Sequence, residues 1–157
     1  MSNNCQETTI QLSNAMLSIV DVSDLNKLLP YNWHFSSHGY AYRKLHVNAT
    51  QKTIYMHHYV FGKKLGHVVD HINGDKLDNR KSNLRFCSNK ENVRKQKIRT
   101  NNKTGVRGIS IKKTTGKFQA TIMVDGKSIH LGYFHHLKDA SAAYSIAAKN
   151  HFGEFAY

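Results

Sequence analysis

An Asp-His pair that ends an apolar run, followed at fixed spacing by two asparagines, constrains the fold of this chain most. Asp70 and His71 come directly after two valines, and the sequence Asn73-Gly74-Asp75 beyond them is typical of a tight turn. Asn83 lies twelve residues after His71, and Asn92 lies nine residues after Asn83. The pattern predicts a strand, a loop, a second strand and a helix within about forty residues.

Strand and capping signals place this pattern on secondary structure. The segments 68–70 and 84–87 are predicted strands on either side of the loop. Ser88 is a predicted helix N-cap, and Glu91 three residues later completes a capping box. Residues 57–61 are predicted as a short helix before the first strand.

The residue types in the pattern are those that metal-assisted hydrolysis of a phosphodiester requires. A histidine is suited to take a proton from an attacking water because its ordinary pKa is about 6.5, and we assign this general-base role to His71. Asp70 and Asn92 offer two hard oxygen ligands for one divalent cation, most simply Mg²⁺ or Mn²⁺. Asn83 is expected to bridge the loop through its side-chain amide and so to orient His71. The structural alternative is that His71 caps a turn and that the asparagines only fix loops.

These positions resemble the core of HNH homing endonucleases, which have the ββα-metal fold. The resemblance implies that Asp70 and Asn92 bind the metal, that His71 is the general base and that Asn83 is the central asparagine. The third position of the family name is Asn92 here rather than a histidine, a variant that favours an oxygen-ligated ion over zinc. His58 resembles a frequent upstream histidine, which supports the fold or approaches the phosphate.

Positive charge is concentrated around this pattern. The formal net charge is +13, and residues 57–113 hold fifteen Lys and Arg against four Asp and Glu. A basic block of this kind predicts a polyanion partner, most simply a phosphate backbone, and the alternative is a solvated basic surface. For Arg80, Lys81 and Arg85, phosphate contact and a solvated surface both stay open. The basic residues expected to contact DNA in and after the pattern are Arg85, Arg94, Lys95, Lys97 and Arg99.

Cysteine usage and hydropathy limit the cellular context. Cys5 and Cys87 are far apart and form no CxxC pair, which argues against a disulfide framework and fits a reducing cytosol. The chain has no apolar run of about eighteen residues and no signal-peptide order at its N-terminus. We therefore expect no membrane partner and a cytoplasmic location, which would be the bacterial host cytoplasm for a phage-encoded protein.

The residues before the pattern are predicted to form a β-rich scaffold with one short helix. Residues 40–47 and 53–56 are predicted as the two strands of a hairpin. Trp33, Tyr40 and Tyr42 have the chemistry to stack on bases. Aromatic residues in a small β layer more often form the core.

The C-terminal third carries a separate pattern of three strands and one helix. Strands are predicted over residues 106–111, 117–124 and 127–134, with Asp125-Gly126 as a two-residue hairpin turn. Alanines recur at helical spacing from Ala140 to Ala148, which lets a helix sit close against the sheet. One sheet face is therefore expected to be packed and the other to stay open.

Four landmarks in this third resemble an AP2 domain, a family that lays a three-stranded sheet in the DNA major groove. They are Thr104-Gly105-Val106-Arg107-Gly108, Gly116-Lys117-Phe118-Gln119-Ala120, Leu131-Gly132-Tyr133-Phe134 and the alanine-rich helix. The alternative is a small α+β scaffold without DNA contact. The residues for which the resemblance implies DNA contact are Arg107, Lys112, Lys113, Gln119, Thr121 and His130.

The sequence thus predicts an α+β fold in which small β segments precede a ββα-metal nuclease core. An AP2-like three-stranded antiparallel sheet packed on one helix follows the core. The predicted parts are a β-rich scaffold (1–56), an HNH core (57–97), a basic linker (98–103) and an AP2-like module (104–157).

The whole chain resembles phage-type HNH endonucleases with a C-terminal AP2 module. This implies a site-directed endonuclease that acts on double-stranded DNA with one divalent cation and no small-molecule cofactor. With one such site per chain, a monomer should nick one strand, whereas a dimer would cut both. The alternatives are a DNA-binding regulator with a vestigial nuclease core and a relatively nonspecific phage nuclease.

Overall fold

A computed structural model describes residues 6–95, 100 and 102–156, which form a mixed α/β structure of small sheets and few helices. The chain divides into two compact units, Met1–Asn89 and Lys90–Tyr157. Within the described ranges, no helix is both long enough and apolar enough to cross a membrane. Lys97 and Arg99, two of the predicted DNA contacts, lie outside the described residues, as does Cys5.

The first unit is built from small antiparallel sheets and two short helices. The strands are β1 (Glu7–Gln11), β2 (Leu17–Asp21), β3 (His34–Phe35), β4 (Ala41–Val47), β5 (Thr50–Tyr55), β6 (Val68–His71) and β7 (Leu84–Cys87). The pairs are β1 with β2, β4 with both β3 and β5, and β6 with β7. The helices are α1 (Leu25–Leu28) and α2 (Met56–Phe61). The predicted hairpin is confirmed, although its second strand begins three residues earlier than expected.

One apolar core joins the N-terminal strands to the loop between β6 and β7. Trp33 is 2% exposed, and its indole Nε1 donates a hydrogen bond to the Leu28 carbonyl at 3.0 Å. The core role expected for this ring is therefore confirmed. Leu77, which lies in the β6–β7 loop, is buried in the same cluster. The core residues are Ile10, Leu12, Val20, Leu28, Trp33, Ala41, Met56 and Leu77.

Polar contacts hold this loop on β2. Ile19 donates its backbone N–H to the Leu77 carbonyl, and Asn79 donates its own to the Ile19 carbonyl, each at 2.8 Å. Lys81 is tied to the same region, because its N–H reaches the Asp21 carboxylate at 2.8 Å and its ammonium reaches Asp24 at 2.7 Å. The loop that follows the Asp-His pair is thus fixed from both its backbone and its side chains.

The second unit is a three-stranded antiparallel sheet covered by a helix. The strands are β8 (Ile109–Ile111), β9 (Phe118–Val124) and β10 (Lys127–Phe134), with β9 in the middle. Helix α3 (Asn89–Arg94) precedes them, and helix α4 (Leu137–Phe152) follows. Ala140 of α4 packs on Ile109 and Ala120 of the sheet.

Two turns in this unit explain which predicted strand boundaries match the structure and which do not. Asp125 and Gly126 have φ angles of 46° and 80°, as a two-residue hairpin turn requires, so that prediction is confirmed. The first strand begins at Ile109 rather than at Val106, because residues before it form side-chain-supported turns. The Val106 carbonyl is held there by Asn102 Nδ2 at 2.8 Å and Thr104 Oγ1 at 3.2 Å.

Candidate functional site

The Asp-His pair lies at the end of β6, where the strand enters the loop. Asp70 and His71 are 6% and 4% exposed. The Gly74 N–H returns to the His71 carbonyl at 3.0 Å, and Gly74 has a φ of 81°, so the chain turns sharply after the pair. Arg85 lies opposite Asp70 in the β6–β7 ladder, and its Nε donates to Asp70 Oδ2 at 3.1 Å. This ion pair holds the carboxylate against β7.

The His71 ring is oriented by a buried asparagine that sequence reasoning missed. Asn79 has no exposed surface, and its Nδ2 donates to Ser18 Oγ at 2.8 Å and to the Leu77 carbonyl at 3.3 Å. These two contacts turn Oδ1 of Asn79 towards His71, where it lies 3.4 Å from Nε2. An amide oxygen only accepts, so the contact favours the tautomer in which Nε2 carries the proton. The lone pair of the neutral ring is then on Nδ1.

Asn83 bridges the loop in the way the sequence predicts. Its Oδ1 accepts from the Asn73 N–H at 3.0 Å, and its Nδ2 donates to Asn73 Oδ1 at 3.0 Å and to the Asp78 carbonyl at 2.9 Å. The Asn83 carbonyl also accepts from the Ile72 N–H at 2.8 Å, directly after His71. Asn83 therefore ties together the two ends of the loop that positions His71.

The positive charge of Arg80 is paired with carboxylates at this loop and does not stand alone at the surface. Its Nε and Nη2 bind the two oxygens of Asp78 at 2.8 Å and 2.6 Å, and Nη1 pairs with Glu7 of β1. The Arg80 hydrogen bonds lower the pKa of Asp78, and Asp78 raises the pKa of Arg80. Asn73 Nδ2 donates to the same carboxylate at 2.9 Å. The Arg80–Asp78 salt bridge and the hydrogen bonds of the loop therefore form one network.

A cluster of aromatic and imidazole rings backs His71. His57 is 6% exposed, and its ring centroid lies 5.2 Å from that of His71, 4.3 Å from that of His58 and 5.5 Å from that of Tyr55. Burial, and then the charges of His58 and His71, lower the pKa of His57 to about 3. The His57 ring is therefore uncharged at ordinary pH and packs beside the His71 ring. The Tyr40 ring packs on those of His57 and His71, with centroid separations of 5.3 Å and 6.0 Å.

The predicted metal ligands fall on different elements. Asp70 is held on β6 in the first unit, whereas Asn92 is exposed on α3 in the second unit. Among the described residues there is no group of three or more His, Cys, Asp or Glu side chains able to hold a metal ion. A Mg²⁺-type site needs only one or two carboxylates, because substrate oxygens and water fill the remaining positions. The chemistry of a carboxylate and an amide oxygen fits such an ion.

The second unit presents a polar sheet face away from α4. Gln119 pairs with Tyr133, Thr121 with His130 and Met123 with Ser128, so these residues share one face, whereas the buried Ala120 and Ile122 point to the other. Arg107 is half-buried before β8, and Lys112 and Lys113 are exposed after it.

Tyr133 on this face was missed in the sequence. A bulge between His130 and Gly132 shifts the register and brings Tyr133 onto the polar side. Its ring lies 4.6 Å from that of His130, and its hydroxyl accepts from Lys112 Nζ at 3.3 Å.

The remaining predicted DNA contacts lie near the end of α3. The Arg94 guanidinium lies 4.0 Å from the Phe152 ring centroid, and Lys95 follows the helix in a turn. Arg94 and Arg107 line one cavity of about 330 Å³ with Tyr144 and Phe152. Burial raises the pKa of Tyr144, and the two arginines oppose that shift.

The segment of the chain that contains the Asp-His pair is similar to a known protein family. Residues 54–94 match the HNH endonuclease family. The matched HNH segment contains all four positions of the Asp-His and asparagine pattern, together with His57 and His58. The AP2 resemblance of residues 104–157 and the homing type stay predictions.

Two viral proteins are similar over longer or shorter parts of the chain. An uncharacterized HNH endonuclease of Acanthamoeba polyphaga mimivirus is 29% identical over 132 residues, which cover 80% of this chain and 65% of that protein. Protein 3.8 of Escherichia phage T7 is 34% identical over 62 residues, which cover 40% of this chain and 51% of that protein. The chain therefore spans less than two thirds of either relative. No solved structure matches it.

Proposed function

We propose that this chain is a metal-dependent endonuclease that hydrolyses phosphodiester bonds of double-stranded DNA. The observation that carries the proposal is the placement of Asp70 and His71 at the strand end of the HNH segment, with His71 held by Asn79. The concentration of positive charge in residues 57–113 supports a polyanionic substrate.

His71 is the proposed general base. With Nε2 donating to Asn79, Nδ1 is the nitrogen that takes the proton from the attacking water. The neutral His57 beside it adds no charge that would oppose protonation of His71. Asn83 acts through the loop, because its bonds to Asn73 and Asp78 fix the turn after His71.

Asp70 and Asn92 are the proposed ligands of one divalent cation, Mg²⁺ or Mn²⁺. Such an ion, when bound, stabilises negative charge on the phosphate and on the leaving oxygen. Arg85 holds the Asp70 carboxylate in a fixed orientation through its ion pair at 3.1 Å. Hard oxygen donors of this kind favour magnesium or manganese over zinc.

The second unit, together with the basic linker predicted over residues 98–103, is proposed to dock the chain on duplex DNA at a preferred site, in the manner of an AP2 domain. The polar sheet face offers Gln119, Thr121 and His130 to base edges, and Arg107 has the fork geometry for guanine. The cations proposed to hold phosphates are Arg85, Arg94, Lys95, Lys97, Arg99, Lys112 and Lys113. In this proposal the enzyme acts in the cytoplasm, that of a bacterial host if it is phage-encoded.

The test is nicking of supercoiled plasmid with Mg²⁺ by the wild type, by His71→Ala and by His46→Ala. His46 is exposed on β4, so its variant controls for loss of a histidine as such. We expect loss of cleavage in His71→Ala, with DNA binding retained, and unchanged cleavage in His46→Ala. If the wild type binds DNA and neither it nor the variants cut, the chain is a DNA-binding regulator and the proposal is wrong. Cut positions scattered along a long DNA would instead identify a nonspecific nuclease.

A further inference from the structure

We propose that the loop of residues 62–67 inserts Leu65 between stacked base pairs beside the cleavage site, a role that rests on the proposed endonuclease function. The loop joins α2, which carries His57 and His58, to β6, which carries Asp70 and His71. It therefore lies in the chain directly between the two elements that build the candidate site.

The loop has a defined shape that presents Leu65 at its tip. Leu65 is 100% exposed, the highest value among the exposed large apolar residues of the described ranges. The Gly62 N–H donates to the His58 carbonyl at 3.0 Å, and the His67 N–H donates to the Lys64 carbonyl at 3.1 Å. His67 Nδ1 lies 3.0 Å from the Leu65 carbonyl, which accepts from it. A single exposed apolar residue is ordinary on a surface, but here the fully exposed leucine lies within a hydrogen-bonded turn.

The charge of the loop identifies its partner as a polyanion. Lys63 and Lys64 are exposed directly before Leu65, His67 is exposed after it, and residues 62–67 contain no Asp or Glu. Burial, and then the Lys63 charge, lower the pKa of His58, so this cation lies close to the candidate site. An apolar side chain preceded by two lysines and followed by an exposed histidine suits duplex DNA, where stacked bases lie between two rows of phosphates.

The loop is close enough to the site for the two to act on the same few base pairs. Loop residues, His58 and the first residues of β6 line one hollow of about 480 Å³. From His58 the rings continue through His57 to His71, with centroid separations of 4.3 Å and 5.2 Å. His71 is the sixth residue after Leu65, which limits the distance between their backbones to about 20 Å, or about six base-pair steps.

Insertion at this distance explains how a phosphate reaches a buried histidine. An apolar wedge between two base pairs unstacks that step and bends the duplex. Bending changes the groove width nearby and turns the backbone of one strand towards the end of β6. Leu65 would then be a positioning residue for the DNA, whereas Lys63 and Lys64 would supply affinity without distortion.

The experiment compares Leu65→Ala with Leu29→Ala, a matched control that removes a 63% exposed leucine elsewhere in the same unit. Permanganate, which oxidises unstacked thymines, is applied to DNA complexes in which each protein also carries His71→Ala. We expect hyperreactive thymines within about six steps of the mapped cut for the His71→Ala parent and for the Leu29→Ala form. The Leu65→Ala form should bind the same DNA without that reactivity.

Cleavage by the two single variants gives the second readout. Leu65→Ala should cut intact duplex about tenfold more slowly than the wild type, since the wedge no longer opens the step. A mismatch or an abasic position placed at the reactive step should restore its rate to about that of the wild type, and Leu29→Ala should cut both substrates normally.

Unchanged permanganate reactivity in Leu65→Ala, or equal loss of cleavage on intact and mismatched DNA, would overturn the wedge. If His71→Ala cuts as fast as the wild type, the proposed general base is wrong, and permanganate reactivity still decides the role of Leu65. If no DNA complex forms at all, both proposals are wrong.

Discussion

Acidification should destabilise the first unit through His57, which is buried without charge. Its ring is enclosed by Tyr55, His58 and His71, and burial, followed by the charges of the two histidines, lowers its pKa to about 3. In the unfolded chain the pKa of the same ring is about 6.5. Between these two values the unfolded state binds a proton that the folded state does not, so stability falls as the pH falls.

The size of this effect follows from the two pKa values. Above about pH 6.5 both states are neutral at His57 and the group has no effect on stability. At pH 5 the unfolded ring is almost fully protonated and the folded ring is not, which lowers the free energy of unfolding by about 2 kcal/mol relative to pH 7. The loss continues to grow until the pH approaches the folded pKa of about 3.

Urea unfolding at pH 7 and pH 5 measures the effect, with fluorescence of Trp33 as the probe. Trp33 is the single tryptophan of the chain and is buried in the core of the first unit. His57→Phe keeps a stacked ring that does not titrate, so its pH dependence should be smaller than that of the wild type by about 2 kcal/mol. His46→Phe changes an exposed ring and should keep the wild-type dependence. Equal losses in the wild type and His57→Phe between the two pH values would refute the reasoning.

Two further substitutions test the other positions that the structure singles out. Asn79→Ala removes the Oδ1 contact to His71 Nε2, so the cleavage rate at saturating DNA should fall about tenfold or more and the pH profile of that rate should shift, while DNA affinity stays close to wild type. An equal fall in affinity and rate, measured by gel shift and nicking, would contradict this positioning role. Gly108→Ala places a methyl group against the Tyr144 ring and the Thr121 carbonyl, whereas Gly116→Ala, at the same φ of 69°, meets nothing. Hydrogen exchange of the β8–β10 amides should show that Gly108→Ala lowers the stability of the second unit by about 1–3 kcal/mol more than Gly116→Ala, and equal effects would rule out the close approach.

The spacing of the Asp-His pattern predicted the local structure of the candidate site well because its determinants are short-range. The turn after His71 is set by Asn73 and Gly74, and Asn83 reaches back to Asn73 over ten residues. Turn and cap residues each favour particular backbone conformations, so the structure of so short a segment can be predicted from its residue types. The bridging role of Asn83 therefore follows from local sequence alone.

The residues that the sequence did not reveal depend on distant or register-dependent contacts. Asn79 looks like an ordinary loop residue, and its orientation towards His71 depends on Ser18, which is 61 residues away in the chain. Tyr133 would lie on the packed face if β10 were regular, and only the bulge after His130 moves it to the polar face. Neither a long-range hydrogen bond nor a bulge has a signature in hydrophobic periodicity.

The geometry at His71 is a property of the whole first unit rather than of the HNH segment alone. Of the eight core residues, only Met56 and Leu77 belong to residues 54–94, and the other six precede that range. The same holds for the polar contacts, because Ser18 orients Asn79, Glu7 pairs with Arg80, and Asp24 pairs with Lys81. A buried amide whose partner is removed loses its preferred orientation and carries the desolvation penalty of an unpaired group. The N-terminal strands therefore help to set the orientation of the His71 ring, because Ser18 of β2 holds the Asn79 amide whose oxygen lies beside His71 Nε2.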